Sequence, residues 1–152
     1  MVLLVVFERI MQKESSIVVA IIGTKFFEDY YFMQKKMEEF CKTHPPIRMV
    51  ISGRTPIKIQ GLLSADILAE RWADEKRIPS RRIVPAYNLW AHPTGILRNP
   101  AVVSECDVLV AFWDGISIST KDSIDKARKQ GKKVIVHCFN SSDLSEFVCV
   151  VY

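Results

Sequence analysis

Short apolar runs alternate with stretches of helical spacing along this chain. The runs lie at Ile17 to Ile22, Arg48 to Ile51, Arg82 to Pro85, Val108 to Trp113 and Lys133 to Cys138. The fourth, Val-Leu-Val-Ala-Phe-Trp, is apolar throughout, the pattern of a strand buried on both faces. Between the runs, Phe27 to Lys42 places Tyr30, Met33, Met37 and Phe40 three and four residues apart. Ser64 to Lys76 does the same with Ile67, Leu68 and Trp72, and Thr120 to Lys129 with Ile124 and Ala127. That spacing gathers side chains on one helix face. Strands alternating with helices predict βαβ units, hence a three-layer α/β sandwich with a mainly parallel five-stranded core sheet and possible extra terminal strands.

The pattern divides the chain into an N-terminal extension over residues 1–16, the α/β domain over 17–139, and a tail or final strand over 140–152, with Phe147 to Tyr152 as the strand candidate. The apolar start, Met1 to Phe7, reads as an extra edge strand or a dimer contact. It is too short to span a bilayer, lacks a basic n-region and precedes charged residues without a small-residue cleavage site. A cytoplasmic location is the default expectation, with no membrane partner.

At 152 residues, one domain can bury a sizeable core without disulfides or a structural metal. A formal charge of +4 suits an anionic ligand but falls short of a dedicated nucleic-acid surface. Cys41, Cys106, Cys138 and Cys149 form no C-x-x-C pair, and His44, His92 and His137 lack ligand spacing, so neither a metal nor a cofactor is expected. Most of the cysteines read as buried small hydrophobes. His137, in an apolar run, reads as a core or strand-end residue, while His92 falls in a candidate ligand loop.

In open α/β sheets ligands bind at the carboxyl ends of the strands, where strand order reverses. Four loops should converge there: Gly23-Thr24-Lys25-Phe26, Ser52-Gly53-Arg54, Tyr87 to Asn99, and Asp114 to Thr120. The last is the most informative, because a buried strand runs into a loop carrying Gly115 and the hydroxyls of Ser117, Ser119 and Thr120 before a helix. Backbone N–H groups and the helix dipole favour an anion at such a place. Equally, Ser119 or Thr120 could simply cap the helix. Tyr87 and Trp90 could stack on a base; Trp113 could do so or fill the layer between sheet and helix. Asp66 and Glu70, one helical turn apart, could form a carboxylate pair.

Taken together, Gly23-Thr24-Lys25, Ser52-Gly53, Ala65-Asp66-Ile67-Leu68-Ala69-Glu70, Gly95-Ile96-Leu97-Arg98-Asn99 and Ala111-Phe112-Trp113-Asp114-Gly115-Ile116-Ser117-Ile118-Ser119-Thr120 resemble motifs of the SLOG superfamily, and most of all its YspA/YpsA-related branch. The resemblance covers roughly residues 17 to 138 and implies a Rossmann-like fold, a homodimer and a nucleotide or nucleotide-derived ligand. It implies phosphate at Gly23, Thr24, Lys25 and the Gly115 to Thr120 loop, a charged contact from Arg98, a base or ribose facing Trp90 or Tyr87, and Asp66 organising the loop behind the ligand. Three departures stand out. Lys25 replaces an arginine and loses the bidentate fork. Ser119 stands where the family has glycine. The stretch Arg54 to Ser64, with Arg54, Lys58 and the single Gly61, replaces a compact glycine-rich turn.

The LOG group of the same superfamily cleaves the bond between base and ribose 5′-monophosphate. Similarity to it makes Arg98 and Asp122 the candidate catalytic pair, although Asp122 in the first turn of a helix would be favoured by the dipole whatever it does. The DprA group implies a third expectation, a DNA-associated module, for which the cluster Lys126, Arg128, Lys129, Lys132 and Lys133 is the candidate surface. A solvated helix C-terminus explains that cluster equally well.

Overall fold

The computed structural model describes residues 1–53, 63–83, 99–140 and 146–147. Six strands form one sheet: β1 (Ile17–Gly23), β2 (Ile47–Ser52), β3 (Ser80–Arg82), β4 (Val108–Trp113), β5 (Lys133–Phe139) and β6 (Glu146–Phe147). Their order is β3-β2-β1-β4-β5-β6, with the first five parallel and β6 antiparallel to β5. The helices are α1 (Val2–Ser15), α2 (Tyr30–Thr43), α3 (Ala65–Glu75), α4 (Asn99–Glu105) and α5 (Ile118–Lys129).

The period-2 geometry of a strand sends alternate side chains to opposite faces. On β1 and β4, Val19, Ile21, Val108, Val110 and Phe112 point to the side covered by α2 and α3, where Met33, Met37, Leu68 and Trp72 meet them. Val18, Ala20, Ile22, Leu109, Ala111 and Trp113 point to the other side, against Val102 and Val103 of α4 and Ile124 and Ala127 of α5. The fold is therefore a three-layer, Rossmann-like α/β sandwich. Both faces of β4 are buried along its whole length, as its unbroken apolar run predicts.

The helix starts follow side-chain chemistry. Asp29 caps α2 by accepting from the Phe32 N–H at 2.9 Å, and Ser64 caps α3 by accepting from Ile67. Asp107 locks the entry to β4 onto β1: its carboxylate accepts from the Val18 N–H at 2.8 Å, and its own N–H donates to the Val18 carbonyl at 2.9 Å.

The start of the chain corrects the expectation of an edge strand, since residues 2–15 form α1. A short apolar run cannot by periodicity alone be assigned to strand or helix. Here Glu8, Arg9, Met11, Gln12, Lys13 and Glu14 continue the segment without strand alternation, and these are good helix formers. The third strand lies slightly earlier than its apolar run, with Ile83 buried just beyond it and its N–H on the Ser52 carbonyl. Pro85 lies outside the described residues. At the other end only Glu146 and Phe147 of the expected final strand are described. Cys106 is buried and free, Cys41 is exposed and free, and Cys138, buried at the end of β5, is disulfide-bonded. Among the described residues, no helix is long and apolar enough to cross a membrane.

Candidate functional site

Strand order reverses between β1 and β4, so the crevice beyond their carboxyl ends is the topological switch point. Gly23 closes β1 there because nothing larger fits. A Cβ on it would lie 2.4 Å from the Phe112 carbonyl oxygen and 2.6 Å from the Ala65 Cβ. That close approach brings the start of α3 onto the ends of β1 and β4. A cavity of about 20 Å³, room for about one water, remains between Ile22, Gly23, Asp66, Asn99, Thr120 and Ser123.

The loops after β1 and β4 are tied to each other. The Thr24 N–H donates to the Phe112 carbonyl at 3.0 Å, and the Thr24 hydroxyl accepts from the Asp114 N–H at 3.2 Å. Asp114 then folds its own loop, since its carboxylate accepts from the Ile116 and Ser117 N–H groups at 2.9 and 2.8 Å. Gly115 between them takes a φ of 81°, which glycine adopts without steric cost. Trp113 donates its indole N–H to the Ser117 carbonyl at 3.0 Å and packs into the α4/α5 layer. It fills the layer and braces the turn.

Helix α5 begins at Ile118, so Ser119 and Thr120 are inside it and Ser117 is the N-cap residue. Ser117 makes no side-chain cap hydrogen bond; its hydroxyl meets that of buried Thr120 at 3.1 Å. The earlier start also corrects the position of Asp122, which falls in the second turn rather than the first. Asp122 pairs with Lys126 one turn on and accepts from the Asn99 side-chain amide at 2.9 Å. Burial pushes its carboxyl up, but the hydrogen bonds from Lys126 and Asn99 and the Lys126 charge outweigh that, and the group titrates below its ordinary value. Asn99, buried at the head of α4, also donates to the Ser119 carbonyl at 3.0 Å.

On the other side of β1, buried Asp66 accepts from the Gly53 N–H at 3.2 Å and so holds the loop that follows β2. Glu70 faces different partners. It accepts from the buried Ser52 hydroxyl at 2.6 Å and takes both ends of the Arg82 guanidinium at 3.0 and 2.7 Å. Asp66 and Glu70 thus make separate anchoring bonds. The Glu70–Arg82 fork joins α3 to the edge strand β3. It was not anticipated, because a contact between residues twelve apart leaves no local signal.

The structure therefore brings Gly23, Thr24, Ser52, Gly53, Asp66, Asn99, Asp114, Gly115, Ser117, Ser119 and Thr120 to one edge of the sheet. Lys25 joins them as an exposed side chain without an ion-pair partner among the described residues. Arg54, Tyr87, Trp90 and Arg98, with Lys58, Gly61 and His92, lie outside the described residues. Sequence reasoning passed over Phe26. It is 68% exposed and has a φ of 64°, a left-handed conformation that bulky residues rarely adopt. Ile116 on the neighbouring loop and Ile118 at the first position of α5 are exposed as well. His137 packs its ring against Phe112 and Phe32, as a strand residue. In the basic cluster, Lys126 is taken by Asp122 and Lys132 reaches the Ser104 carbonyl. Among the described residues, no group of three His, Cys, Asp or Glu side chains is placed to hold a metal.

No family model, curated protein or solved structure matches the chain.

Proposed function

We propose that this chain binds a nucleotide or nucleotide-derived ligand at the carboxyl edge of its sheet, with a phosphate at the start of α5 and the Thr24-Lys25 loop. One observation carries the reading: α5 starts without a protein cap. Asp114 takes the Ile116 and Ser117 N–H groups, whereas those of Ile118, Ser119 and Thr120 meet no acceptor among the described residues. Such N–H groups at the positive end of a helix dipole suit an anion. Lys25 supplies a mobile positive charge and Ser117 and Thr120 supply hydroxyls. Asp114, with its carboxylate engaged by two N–H groups, shapes the turn.

Phe26 and Ile116 on the same two loops, with Ile118 at the start of α5, present apolar surface, which suits a base or ribose beyond the phosphate. Arg98 as a charged contact and Tyr87 or Trp90 as aromatic ones complete the reading from outside the described residues. The test is calorimetric titration with nucleoside monophosphates, ribose 5-phosphate and inorganic phosphate. Wild type binds at least one nucleotide, and Lys25→Ala and Ser117→Ala each weaken it by about tenfold or more, the worth of one hydrogen bond to a charged group. Absence of nucleotide binding, or unchanged affinity in both variants, overturns the proposal.

A second reading, hydrolysis of the bond between base and ribose 5-phosphate, is favoured by the Asn99–Asp122 bond. It brings the head of α4, which Arg98 immediately precedes, to Asp122. An Asp122 held ionised by Lys126 is a poor proton donor, so its part would be electrostatic stabilisation of a cation-like sugar. Incubation with nucleoside monophosphates and chromatography for free base decides this. Release that Asp122→Asn abolishes while affinity persists supports hydrolysis, and intact ligand rules it out.

A further inference from the structure

Between the C-terminal halves of α2 and α3 lies an open groove of about 420 Å³, lined by Glu38, Cys41 and Lys42 of α2, Trp72 of α3, and Lys76 and Ile78 just beyond it. In a parallel βαβ unit the helix runs back against its strands, so these helix ends lie at the amino edge of the sheet, away from the Thr24 and Asp114 loops. The volume falls in the range of small-molecule sites. It also borders a donor that the fold leaves unmet. Trp72 is fully buried in the core layer under α2 and α3, and its indole N–H meets no acceptor. Trp113, by contrast, gives its N–H to the Ser117 carbonyl. A buried donor without a partner is costly, and native proteins keep few of them. Because Trp72 lines the groove, an acceptor seated there answers that N–H.

Charge points the same way. Lys76 is balanced by Glu38 at 3.3 Å, whereas Lys42 has no ion-pair partner among the described residues, so the lining is net positive. Cys41 does not offset it, because desolvation pushes its thiol above the ordinary value and leaves it protonated at neutral pH. Both polar features therefore ask for an acceptor, and the Trp72 ring, Ile78 and the lysine stems supply apolar wall. A protein partner fits worse. A standard interface takes roughly 800 Å² from each side around an apolar centre, and none of the exposed large apolar side chains among the described residues lines this groove.

We propose that this groove binds a small amphipathic carboxylate, whose charged end accepts from the Trp72 indole N–H and faces Lys42 while its apolar body lies along the Trp72 ring and Ile78. This holds whatever ligand the sheet edge binds. Cys41 lines the groove with an exposed, free thiol, so its alkylation by iodoacetamide, followed on the Cys41 peptide by mass spectrometry, reports occupancy. Octanoate and phenylacetate each slow that alkylation saturably, and octylamine does not. Trp72→Phe keeps an aromatic ring but removes the N–H, and it raises the octanoate dissociation constant about tenfold, the worth of one hydrogen bond to a charged group. Lys42→Ala, at an exposed position outside the core, raises it about threefold. No protection by either carboxylate, equal protection by octylamine, unchanged affinity in either variant, or protection given only by an acidic peptide each overturns the proposal.

Discussion

The side-chain amide of Asn99 donates to the Asp122 carboxylate at 2.9 Å and to the Ser119 carbonyl at 3.0 Å, joining the head of α4 to the first turns of α5. Asn99 is 3% exposed, so the donor side of the bond is buried. Asn99→Ala takes a donor from both acceptors and removes the brace between the head of α4 and the first turns of α5. The expected cost is about 1–3 kcal/mol, a fall in melting temperature of roughly 2–4 °C per kcal/mol for a chain of this length. Thermal unfolding followed by circular dichroism checks it, and an unchanged midpoint would show that the bond is dispensable.

Asp122 makes stability depend on pH. Its folded-state pKa lies below that of the unfolded chain, whose ordinary value is 3.8, because Lys126 and Asn99 favour the carboxylate by more than burial opposes it. The stabilisation is complete above that ordinary value and disappears as pH falls through the lower folded value. Asp122→Asn is therefore less stable than wild type at neutral pH, and the gap narrows below pH 3.8. Urea midpoints at neutral pH and along an acid series measure this; a gap that stays constant to the acid end would refute it.

Gly23→Ala tests how tightly the switch point is closed. The new methyl group meets the Phe112 carbonyl and the Ala65 methyl well inside contact distance, and both belong to packed backbone elements. Either α3 moves away or β1 and β4 separate. We expect a loss of about 1–3 kcal/mol, the usual cost of overpacking, with weaker phosphate binding because the Thr24 and Asp114 loops leave from the same strand ends. Chemical denaturation and phosphate titration read the two effects separately.

Much of this architecture is legible from residue spacing. Val19 and Ile21 against Val18 and Ala20 already announce a strand covered on both sides, and Met33, Met37 and Phe40 announce the helix that covers one of them. What spacing missed has local causes. Val-Leu-Leu-Val-Val-Phe suits strand and helix alike, so α1 was open to misreading. Helix α4 opens with Asn99-Pro100, a turn-like pair, and ends within seven residues. Ser119 and Thr120 look like caps, yet the carboxylate of Asp114 folds the preceding loop so that the helix begins at Ile118. The site residues were readable as types and loops. Their partners were not, because the choice of Glu70 for Ser52 and Arg82, and of Asp66 for Gly53, is made across the packed fold.

Phe26 ties stability to binding. Its φ of 64° costs about 1–2 kcal/mol for a side chain of this shape, and with 68% of its surface exposed it recovers little by burial. Backbone strain of this kind clusters at ligand sites. Asparagine tolerates the left-handed region, so Phe26→Asn should raise stability by up to about 1 kcal/mol. If Phe26 covers the base, the same change weakens nucleoside monophosphate binding while leaving ribose 5-phosphate binding unchanged. Thermal unfolding and paired titrations with the two ligands separate the effects. A fall in stability would show that the Phe26 ring is held by packing, and equal losses for both ligands would place its role at the phosphate rather than the base.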